Sequence, residues 1–382
     1  MRRCFILKNI LVFYGGKSCE HDVSVITGVL TLNSIDKTLY NPVPIYVSKK
    51  GEWYTGKELF DVSFYKNFQE KPLKKVTLLS GESGLFIKGK RLKKLCDAYS
   101  AINCMHGLNG EDGSLSGALK LHNIPLASPS LFGSSLSIDK EFTKHCLKGI
   151  SVSRLDYITV LEKDYFLDKE KVLKEVEENL GYPVIVKPAN LGSSIGISKA
   201  SDNVSLSSAI ENGFVFDNKL IIEKKLSDFI ELNCACYEGK NGLVVSQVER
   251  PISLSEILTF KDKYEGFKGG GEREFPAKIP TKTAEKVRQI TKTVYERFGF
   301  FGIIRVDYLL YNGKIYLNEI NTVPGSLAYY LFSDTLKGFS DILTEIIELS
   351  VQKFSSFSSR KFEYNSSVLD IKGVKGGKLK NN

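Results

Sequence analysis

Residues 305–321, RVDYLLYNGKIYLNEIN, contain two apolar strand patterns that flank an Asn-Gly pair. Asn-Gly between strands predicts a β-hairpin, and the loop length fixes which residues pair. A two-residue turn on Asn312 and Gly313 would place Asp307 and Glu319 on opposite faces. A three-residue loop with a glycine bulge shifts the pairing by one residue and places both carboxylates on one face.

The second register separates the polar side chains of the hairpin from its apolar ones. Strand side chains alternate between two faces, so the spacing shows which residues share a face. In the three-residue register the polar face holds Arg305, Asp307, Glu319 and Asn321, and the core face holds Ile304, Val306, Leu310 and Ile320. We therefore predict the three-residue loop.

The polar face is a candidate site for a metal ion and phosphates. Two carboxylates and an amide carbonyl are hard oxygen ligands, which suit a magnesium ion bridged to phosphates. Arg305 beside them can neutralise developing negative charge. A solvent-facing strand with surface ion pairs is the alternative, and the hairpin alone does not decide between the two.

Two loops upstream also favour phosphate binding. VIVKPANLGSSIGIS, residues 184–198, predicts a strand, a Gly/Ser-rich loop and a strand, in which backbone N–H groups and Lys187 could hold phosphates. A tight glycine-containing hairpin has the same pattern. MHGLNGEDGSLSG, residues 105–117, opens a predicted helix whose N-terminus could receive an anion or form a plain connection. YGGKS is not a Walker loop, because Leu11 occupies the position of its first glycine.

The composition predicts an ordinary soluble protein with two or three domains. The chain has 382 residues, 42% hydrophobic and 25% charged. No apolar run approaches the roughly 20 residues of a membrane helix. Seven scattered cysteines and four histidines without metal spacing argue against disulfides and zinc, which fits the cytoplasm. The net charge is +9, and nearly half of it lies after residue 357 in a tail that is typical of a solvated chain end.

Strand and helix patterns alternate along the chain, which indicates α/β architecture. ILVFYGG followed by a helical pattern is the first strand, glycine turn and helix. DKEKVLKEVEENLG is an amphipathic helix ended by Gly181, and a later helix places Val287, Ile290, Val294 and Phe298 on one face. Between residues 249 and 280 the pattern is lost, which is typical of a lid or a disordered linker. The flanking catalytic-type residues favour a lid.

Taken together, these stretches resemble the D-alanine–D-alanine ligases of the ATP-grasp superfamily. The matching segments are GGKSCEHDVS, HGLNGEDGSLSG, SSLSIDK, YPVIVKPANLGSSIGIS, LIIEKKL, KDKY, IIRVDY and NEINTVPGS, in family order. The resemblance implies an α/β (α+β) three-domain ATP-grasp fold with an α/β N-terminal domain. Its implied parts are an N-terminal domain on the first D-alanine side (1–136), a central subdomain (137–226), a C-terminal subdomain with the metal site and a lid at 249–280 (227–357), and a basic tail (358–382).

The resemblance also implies the roles of individual residues. The implied nucleotide contacts are Lys140, Lys187, Glu223, Lys224, Leu226 and Glu231, and the implied ligands of two Mg²⁺ or Mn²⁺ ions are Asp307, Glu319 and Asn321. Glu20 would hold the ammonium of the first D-alanine and form a triad with Ser193 and Tyr264 that closes the lid. Arg305 and the Gly325 N–H would form the oxyanion site. The other implied substrate-binding residues are His106, Lys263, Ser326, Tyr330 and Leu331.

The implied activity is ATP-dependent ligation of two D-alanine molecules through an acyl phosphate, for peptidoglycan synthesis. The implied protein is a cytoplasmic homodimer that binds neither nucleic acid nor a membrane. Two positions depart from the family pattern. Ser116 replaces a common Gln, and Tyr330 occupies the position where many relatives have a Ser facing the carboxylate of the second substrate. The contacts of that substrate therefore stay open.

Other readings of the sequence remain. One is another ATP-grasp ligase that joins different carboxylates and amines, or a D-alanine–D-lactate ligase. Glu20, Ser193 and Tyr264 together oppose it, and Tyr264 favours an amine over a hydroxyl nucleophile. The other is a non-catalytic nucleotide-binding or nucleic-acid-binding protein, which the intact Asp307, Glu319 and Arg305 oppose.

Overall fold

The computed structural model describes residues 7–252 and 273–366 of the chain. Within these ranges the strands form a seven-stranded sheet, two four-stranded sheets and a two-stranded ribbon, with helices packed against them. The fold is therefore of the mixed α/β class that the sequence predicts. No helix in the described ranges has both the length and the apolar character to span a membrane.

The first third of the chain builds the seven-stranded sheet. Its strands are β1 (Lys8–Gly15), β2 (Tyr40–Val47), β3 (Trp53–Thr55), β4 (Lys74–Leu78), β5 (Gly84–Ile87), β6 (Lys93–Asp97) and β7 (Ser100–Asn103). β1 pairs in parallel with β2 and β7, and β3 to β6 extend the sheet in antiparallel pairs. Ile10 and Val12 face one apolar core and Leu11 and Phe13 another. Burial of both faces explains the uninterrupted apolar run in β1.

Helix α1 (His21–Ser34) packs directly on β1. The close approach requires a glycine, because a Cβ on Gly28 would lie 2.2 Å from Cγ of Tyr14. Ser24 fixes the start of the helix, since its hydroxyl donates to the carbonyl of Cys104 at 2.7 Å, just after β7. Helix α2 (Ser114–Leu121) and two 3₁₀ helices (Lys57–Phe60 and Val62–Asn67) complete this part of the chain.

The middle of the chain forms a four-stranded antiparallel sheet. Its strands are β8 (Tyr157–Leu161), β9 (Val184–Pro188), β10 (Ser198–Ala200) and β11 (Lys219–Lys224), in the order β10-β9-β11-β8. The helices of this region are α3 (Leu131–Ile138), α4 (Lys140–Cys146), α5 (Glu162–Leu167), α6 (Lys169–Leu180) and α7 (Asn203–Phe214). α6 is the predicted amphipathic helix: Asp168 caps it by accepting the N–H of Lys171, and Gly181 follows its end with a φ of 61°.

The second four-stranded sheet comes from the last third of the chain. Its strands are β12 (Ile230–Gly239), β13 (Gly242–Val245), β16 (Ile304–Tyr311) and β17 (Lys314–Asn321), in the order β13-β12-β16-β17, and the ribbon consists of β14 (Arg250–Pro251) and β15 (Arg273–Glu274). Helix α8 (Thr281–Arg297) packs on this sheet through Val287, Ile290 and Val294, with Phe298 just after it. The predicted apolar face of this helix is confirmed.

The turn of the β16–β17 hairpin differs from the predicted form. Tyr311 pairs with Lys314, so only Asn312 and Gly313 form the turn, and the predicted three-residue loop is wrong. Both turn residues have positive φ, 47° and 72°. This conformation suits Asn-Gly and matches the natural twist of the two strands, which explains why the shorter turn forms.

The extra residue needed for the predicted pairing is in β17 itself. Tyr308 pairs with Leu317 and Asp307 pairs with Glu319, so Asn318 bulges between the two pairs. A bulge shifts the pairing by one residue wherever it occurs along the strand. The two carboxylates therefore share a face as predicted. Ile304, Val306 and Ile320 lie in the core on the other face, with Leu310 packed against it.

The end of the described chain returns to the seven-stranded sheet. A 3₁₀ helix (Gly325–Leu331) follows β17, and helix α9 (Leu336–Ser358) comes after it. Phe339, Leu343 and Ile346 of α9 belong to the same apolar core as Ile10 and Val12 of β1. The first and last described parts of the chain therefore share one core.

Candidate active site

A cleft between the two four-stranded sheets is lined by eight of the predicted site residues. We call it the central cleft. All six predicted nucleotide contacts and two predicted metal ligands line it: Lys140, Lys187, Glu223, Lys224, Leu226 and Glu231, with Asp307 and Glu319. Leu155, Ile185, Ile197, Phe229 and Leu309 add an apolar lining. The cleft therefore combines an apolar wall with lysines and carboxylates.

Glu223 is buried between two lysines. Nζ of Lys187 lies 2.6 Å from Oε2 of Glu223, and Nζ of Lys144 lies 2.5 Å from Oε1. Burial would raise the pKa of Glu223, but the two ammonium groups outweigh it and lower the pKa to about 2. Lys144 was missed from the sequence. The sequence pattern that could have identified Lys144 is its four-residue spacing from Lys140, which places both lysines on one helical face.

Two further lysines at the cleft hold neighbouring segments. Lys140, at the start of α4, donates to the carbonyl oxygen of Leu191 in the Gly/Ser-rich loop. Its burial lowers the pKa of its ammonium, an effect that the charge of Glu319 opposes. Lys224 donates to the carbonyl oxygens of Leu180 and Tyr182 at 3.0 and 3.1 Å. Its ammonium therefore holds the end of α6 against β11.

The polar face of the β16–β17 hairpin is a hydrogen-bonded group. Arg305 donates from Nε and Nη2 to the two carboxylate oxygens of Asp307 at 2.6 and 2.8 Å, and Nδ2 of Asn321 donates to Oδ2 of Asp307 at 3.0 Å. Glu319 lies opposite Asp307 in the ladder. The three predicted metal ligands are therefore adjacent.

The donor set of this face fits a divalent ion. Carboxylate oxygens of Asp307 and Glu319 and the amide oxygen of Asn321 are the hard ligands that Mg²⁺ and Mn²⁺ prefer. Among the described residues no three His, Cys, Asp or Glu side chains form a metal site by themselves. An ion on this face would therefore also use the amide and the oxygens of a bound phosphate.

Glu20 and Ser193 meet as predicted. Glu20 is buried before α1, and the Ser193 hydroxyl donates to its Oε1 from the loop between β9 and β10. Ser193 and Ser194 have φ values of 52° and 59°, a left-handed conformation that costs non-glycine residues energy and often marks functional loops. Residues 253–272 of the predicted lid lie outside the described residues. This range includes Lys263 and Tyr264, the third residue of the predicted triad.

His106 connects to Ser326 through a threonine. Oγ1 of Thr27 lies 3.1 Å from Nε2 of His106 and accepts the backbone N–H of Ser326, also at 3.1 Å. Burial, assisted by the charge of Arg305, lowers the pKa of His106 to about 3. The imidazole is therefore neutral at physiological pH. Thr27 was missed, and nothing distinguishes it from its neighbours in the helical pattern of α1.

Glu111 is a buried carboxylate that was also missed. Its Oε1 accepts the N–H groups of Thr322 and Val323 at 3.0 and 2.9 Å, and its Oε2 accepts that of Gly107 at 2.9 Å. Burial and the nearby charge of Glu20 raise its pKa. The acidic, glycine-rich sequence GEDG was the available signal. The loop that was considered for binding an external anion instead supplies its own carboxylate to the segment after β17.

The turn after β17 has an unusual backbone. Gly325 begins the 3₁₀ helix, and the next three residues, 326–328, have φ values from 49° to 52°. Three successive left-handed residues without a glycine store strain, which is typical of functional sites. The guanidinium of Arg273 lies 5.1 Å from the ring centroid of Tyr330, and Leu331 is buried in the core. Tyr330 therefore lies between this turn and the end of the ribbon.

Ser116 is the other residue that departs from the family pattern, and its environment differs from that of Tyr330. It is buried in α2, where its hydroxyl donates to the carbonyl oxygen of Pro129 at 3.1 Å. Its replacement of the common Gln is therefore accommodated within the N-terminal part of the chain.

Family models match two long parts of the chain. The D-ala D-ala ligase N-terminus matches residues 9–129, and the D-ala D-ala ligase C-terminus matches residues 146–348. A D-alanine–D-alanine ligase from Thermosipho melanesiensis is 37% identical over 371 residues, covering 95% of this chain and 99% of the relative.

Solved structures support the fold. The VanG D-Ala:D-Ser ligase from Enterococcus faecalis superposes with a TM-score of 0.75 at 27% identity, covering 90% of this chain and 100% of that one. The D-alanine–D-alanine ligase from Coxiella burnetii gives 0.76 at 22% identity, with 92% and 96% covered, which is a likeness of fold alone. With the central cleft, the paired carboxylates and the Glu20–Ser193 contact in place, the chain belongs to the D-alanine–D-alanine ligase family.

Proposed function

We propose that this protein uses ATP to join two D-alanine molecules into D-alanyl-D-alanine, the dipeptide for peptidoglycan synthesis. One observation carries the proposal: the central cleft is lined by Lys140 and Lys187 together with the paired carboxylates Asp307 and Glu319. Lysines bind phosphates as point charges, and carboxylates bind the divalent ions that accompany them. The family membership of the chain supports the same activity.

ATP would occupy the central cleft. The apolar lining at Ile185, Ile197 and Phe229 suits an adenine ring, and Lys140 and Lys187 would hold the phosphates. Asp307, Glu319 and Asn321 would hold two Mg²⁺ or Mn²⁺ ions. When bound, the ions would neutralise phosphate charge and fix the phosphate oxygens.

Glu20 would bind the ammonium group of the first D-alanine. This interaction orients the carboxylate of the substrate toward the terminal phosphate of ATP, and positioning supplies most of the rate in phosphoryl transfer. A carboxylate oxygen attacks the γ-phosphorus, ADP leaves, and an acyl phosphate of D-alanine remains. The Ser193 hydroxyl holds Glu20 in place for this step.

The amine of the second D-alanine would attack the carbonyl carbon of the acyl phosphate. Arg305 and the backbone N–H of Gly325 would stabilise the negative oxygen, after which inorganic phosphate leaves and the nitrogen loses a proton. Lys263, Ser326, Tyr330 and Leu331 would contact the second substrate. The lid at 249–280, with Tyr264, would keep water from the acyl phosphate.

We extend the proposal to the organisation of the whole protein. The division at residues 136/137 and 226/227 gives three parts that contain the seven-stranded sheet and the two four-stranded sheets. The family resemblance supports a cytoplasmic homodimer without nucleic-acid or membrane partners. Residues 358–382 would form a basic tail outside the site, of which residues 367–382 lie outside the described residues.

An assay of ADP release tests the proposed function. The protein should release ADP with D-alanine and Mg²⁺, and mass spectrometry should find one D-alanyl-D-alanine per ADP. L-alanine should support neither. Release of ADP with D-alanine only when D-serine or D-lactate is added would assign a different second substrate. Nucleotide binding without any product from this panel would contradict the ligase proposal.

A further inference from the structure

Lys144 is a buried cation that does not line the central cleft. Only 5% of its side chain is exposed, and its ammonium contacts Oε1 of Glu223 at 2.5 Å. The other oxygen of Glu223 contacts Lys187 at 2.6 Å, and Lys187 does line the cleft. One carboxylate is therefore shared by two ammonium groups, and only one of them can reach a ligand in the cleft.

Because Glu223 is shared by two lysines, the positive charge that Lys187 can offer to an anion changes. A single buried Lys–Glu pair is neutral, and its carboxylate would compete with a phosphate for the ammonium. With Lys144 present, the group of three carries a net charge of +1, and Lys144 neutralises Glu223. Lys187 is then held in place by Glu223 while its positive charge remains available to an anion in the cleft.

Joining α4 to β11 does not require Lys144. Lys219 of β11 already makes that connection, with Nζ 2.9 Å from Asp139 and 2.5 Å from Glu141 at the start of α4. Lys219 is also largely buried, with 14% of its side chain exposed, but it does not line the central cleft. The two lysines therefore connect the same two elements, and only Lys144 is linked to Lys187.

We propose that Lys144 is a positioning residue that neutralises Glu223 and thereby keeps Lys187 available for the phosphates of the nucleotide. The inference rests on the proposed nucleotide site in the central cleft. It predicts an effect that is specific for phosphates, because Lys144 acts through Lys187 and has no contact of its own with the cleft.

Nucleotide binding tests the proposal without requiring catalysis. Affinities for ADP and for adenosine are measured by calorimetry for Lys144→Met, Lys144→Arg and the control Lys219→Met, with unfolding temperatures of each. Lys144→Met should weaken ADP binding by about 10- to 100-fold, the range for one hydrogen bond to a charged group, and leave adenosine binding within about 2-fold. Lys144→Arg should recover most of the ADP affinity. Lys219→Met should leave both affinities near wild type.

A second comparison, made in a Glu223→Gln protein, tests the proposal if Lys144→Met alone does not fold. With Glu223→Gln there is no buried carboxylate for Lys144 to neutralise, so adding Lys144→Met should change ADP affinity by less than about 2-fold if the two residues act as one unit. An equal loss of ADP and adenosine binding, or an equal effect of Lys219→Met, would overturn the inference. These outcomes are distinct from failure of the proposed function, in which the wild type would bind ADP and form no dipeptide.

Discussion

His106 is neutral in the folded protein because burial and the charge of Arg305 lower its pKa to about 3. In the unfolded chain its pKa returns to about 6.5, so the unfolded state binds the proton first as the pH falls. The free energy of unfolding therefore decreases as the pH falls from about 6.5 toward 3, by about 1.4 kcal/mol per pH unit. This contribution is fully present above pH 6.5.

His106→Gln should remove this acid sensitivity. Between pH 7 and 5 the wild type should lose about 2 kcal/mol more stability than the variant, because only the wild type exchanges a neutral buried imidazole for a protonated exposed one. Urea unfolding at the two pH values measures the difference. The partly exposed His145, changed to Gln, is the control and should follow the wild type. Parallel pH curves for wild type and His106→Gln would contradict the assignment of a neutral His106.

Glu319→Gln should separate metal use from folding. The change removes one of two paired carboxylates and keeps a neutral oxygen ligand, so turnover should fall by about 100- to 1,000-fold at ordinary Mg²⁺ concentrations. Raising Mg²⁺ should restore part of the activity, because the remaining ligands still bind the ion, although more weakly. The rate is measured against Mg²⁺ concentration, with the exposed Glu285→Gln as control. An unchanged Mg²⁺ dependence would show that Glu319 is not a ligand.

At the scale of elements, the hairpin shows how far sequence reasoning extends. The separation of polar and apolar residues was sufficient to predict that Asp307 and Glu319 share a face. It could not locate the extra residue, because a longer turn and a bulge at Asn318 shift the pairing equally. The bulge is favoured by contacts made in the folded protein: Asn318 lines the cleft, where its Oδ1 accepts from Lys187 at 3.3 Å. A partner 131 positions away leaves no local signal.

The turn between β1 and α1 is held by a histidine beside Glu20, the residue that we propose binds the first D-alanine. Nδ1 of His21 lies 2.7 Å from the carbonyl oxygen of Gly16, and Nε2 lies 3.0 Å from the hydroxyl of Tyr46. A carbonyl only accepts, so Nδ1 carries the proton and the tyrosine donates to Nε2. The two hydrogen bonds fix the element that carries Glu20.

Tyr46→Phe should therefore weaken binding of the first D-alanine. The change leaves Nε2 of His21 buried without its donor, which should cost about 1–3 kcal/mol of stability and raise the KM for D-alanine several-fold. Tyr65→Phe is the matched control: it removes a hydroxyl from the same aromatic cluster, with ring centroids 5.2 Å apart, but does not contact His21. Steady-state kinetics and urea unfolding measure both effects. The same KM in the two variants would contradict a role of this turn in substrate binding.

At the scale of the whole molecule, the site is assembled from segments that are far apart in the chain. Motif spacing and the family resemblance selected eight residues that the fold brings into the central cleft. The GEDG motif indicates Glu111 without showing what it contacts, and Thr27 has no distinguishing pattern in the sequence. Their partners, Thr322 and Ser326, are 211 and 299 positions away, and no local pattern encodes such contacts.

The same long-range organisation joins helix α9 to the seven-stranded sheet through Glu348. Its Oε1 accepts from Tyr40 at 2.7 Å and Lys8 at 2.9 Å, and its Oε2 accepts from Tyr99 at 2.7 Å. Three donors, from β1, from β2 and from the residue just before β7, therefore converge on one carboxylate of the last described helix. The contact lies apart from the central cleft, so it should contribute to stability and not to catalysis.

Glu348→Gln should lower the free energy of unfolding without changing turnover. A glutamine keeps one acceptor oxygen but loses the charge and directs an NH₂ group at one former donor. Because the carboxylate is 45% exposed, the loss should be about 0.5–2 kcal/mol. Urea unfolding and the ligase assay are run beside Asp341→Asn, which removes an exposed charge from the same helix. Asp341 forms an ion pair with Lys337, one turn away. If both variants unfold at the same urea concentration, the convergence of donors on Glu348 does not hold α9 to the sheet; if turnover falls with Glu348→Gln alone, α9 influences the site after all.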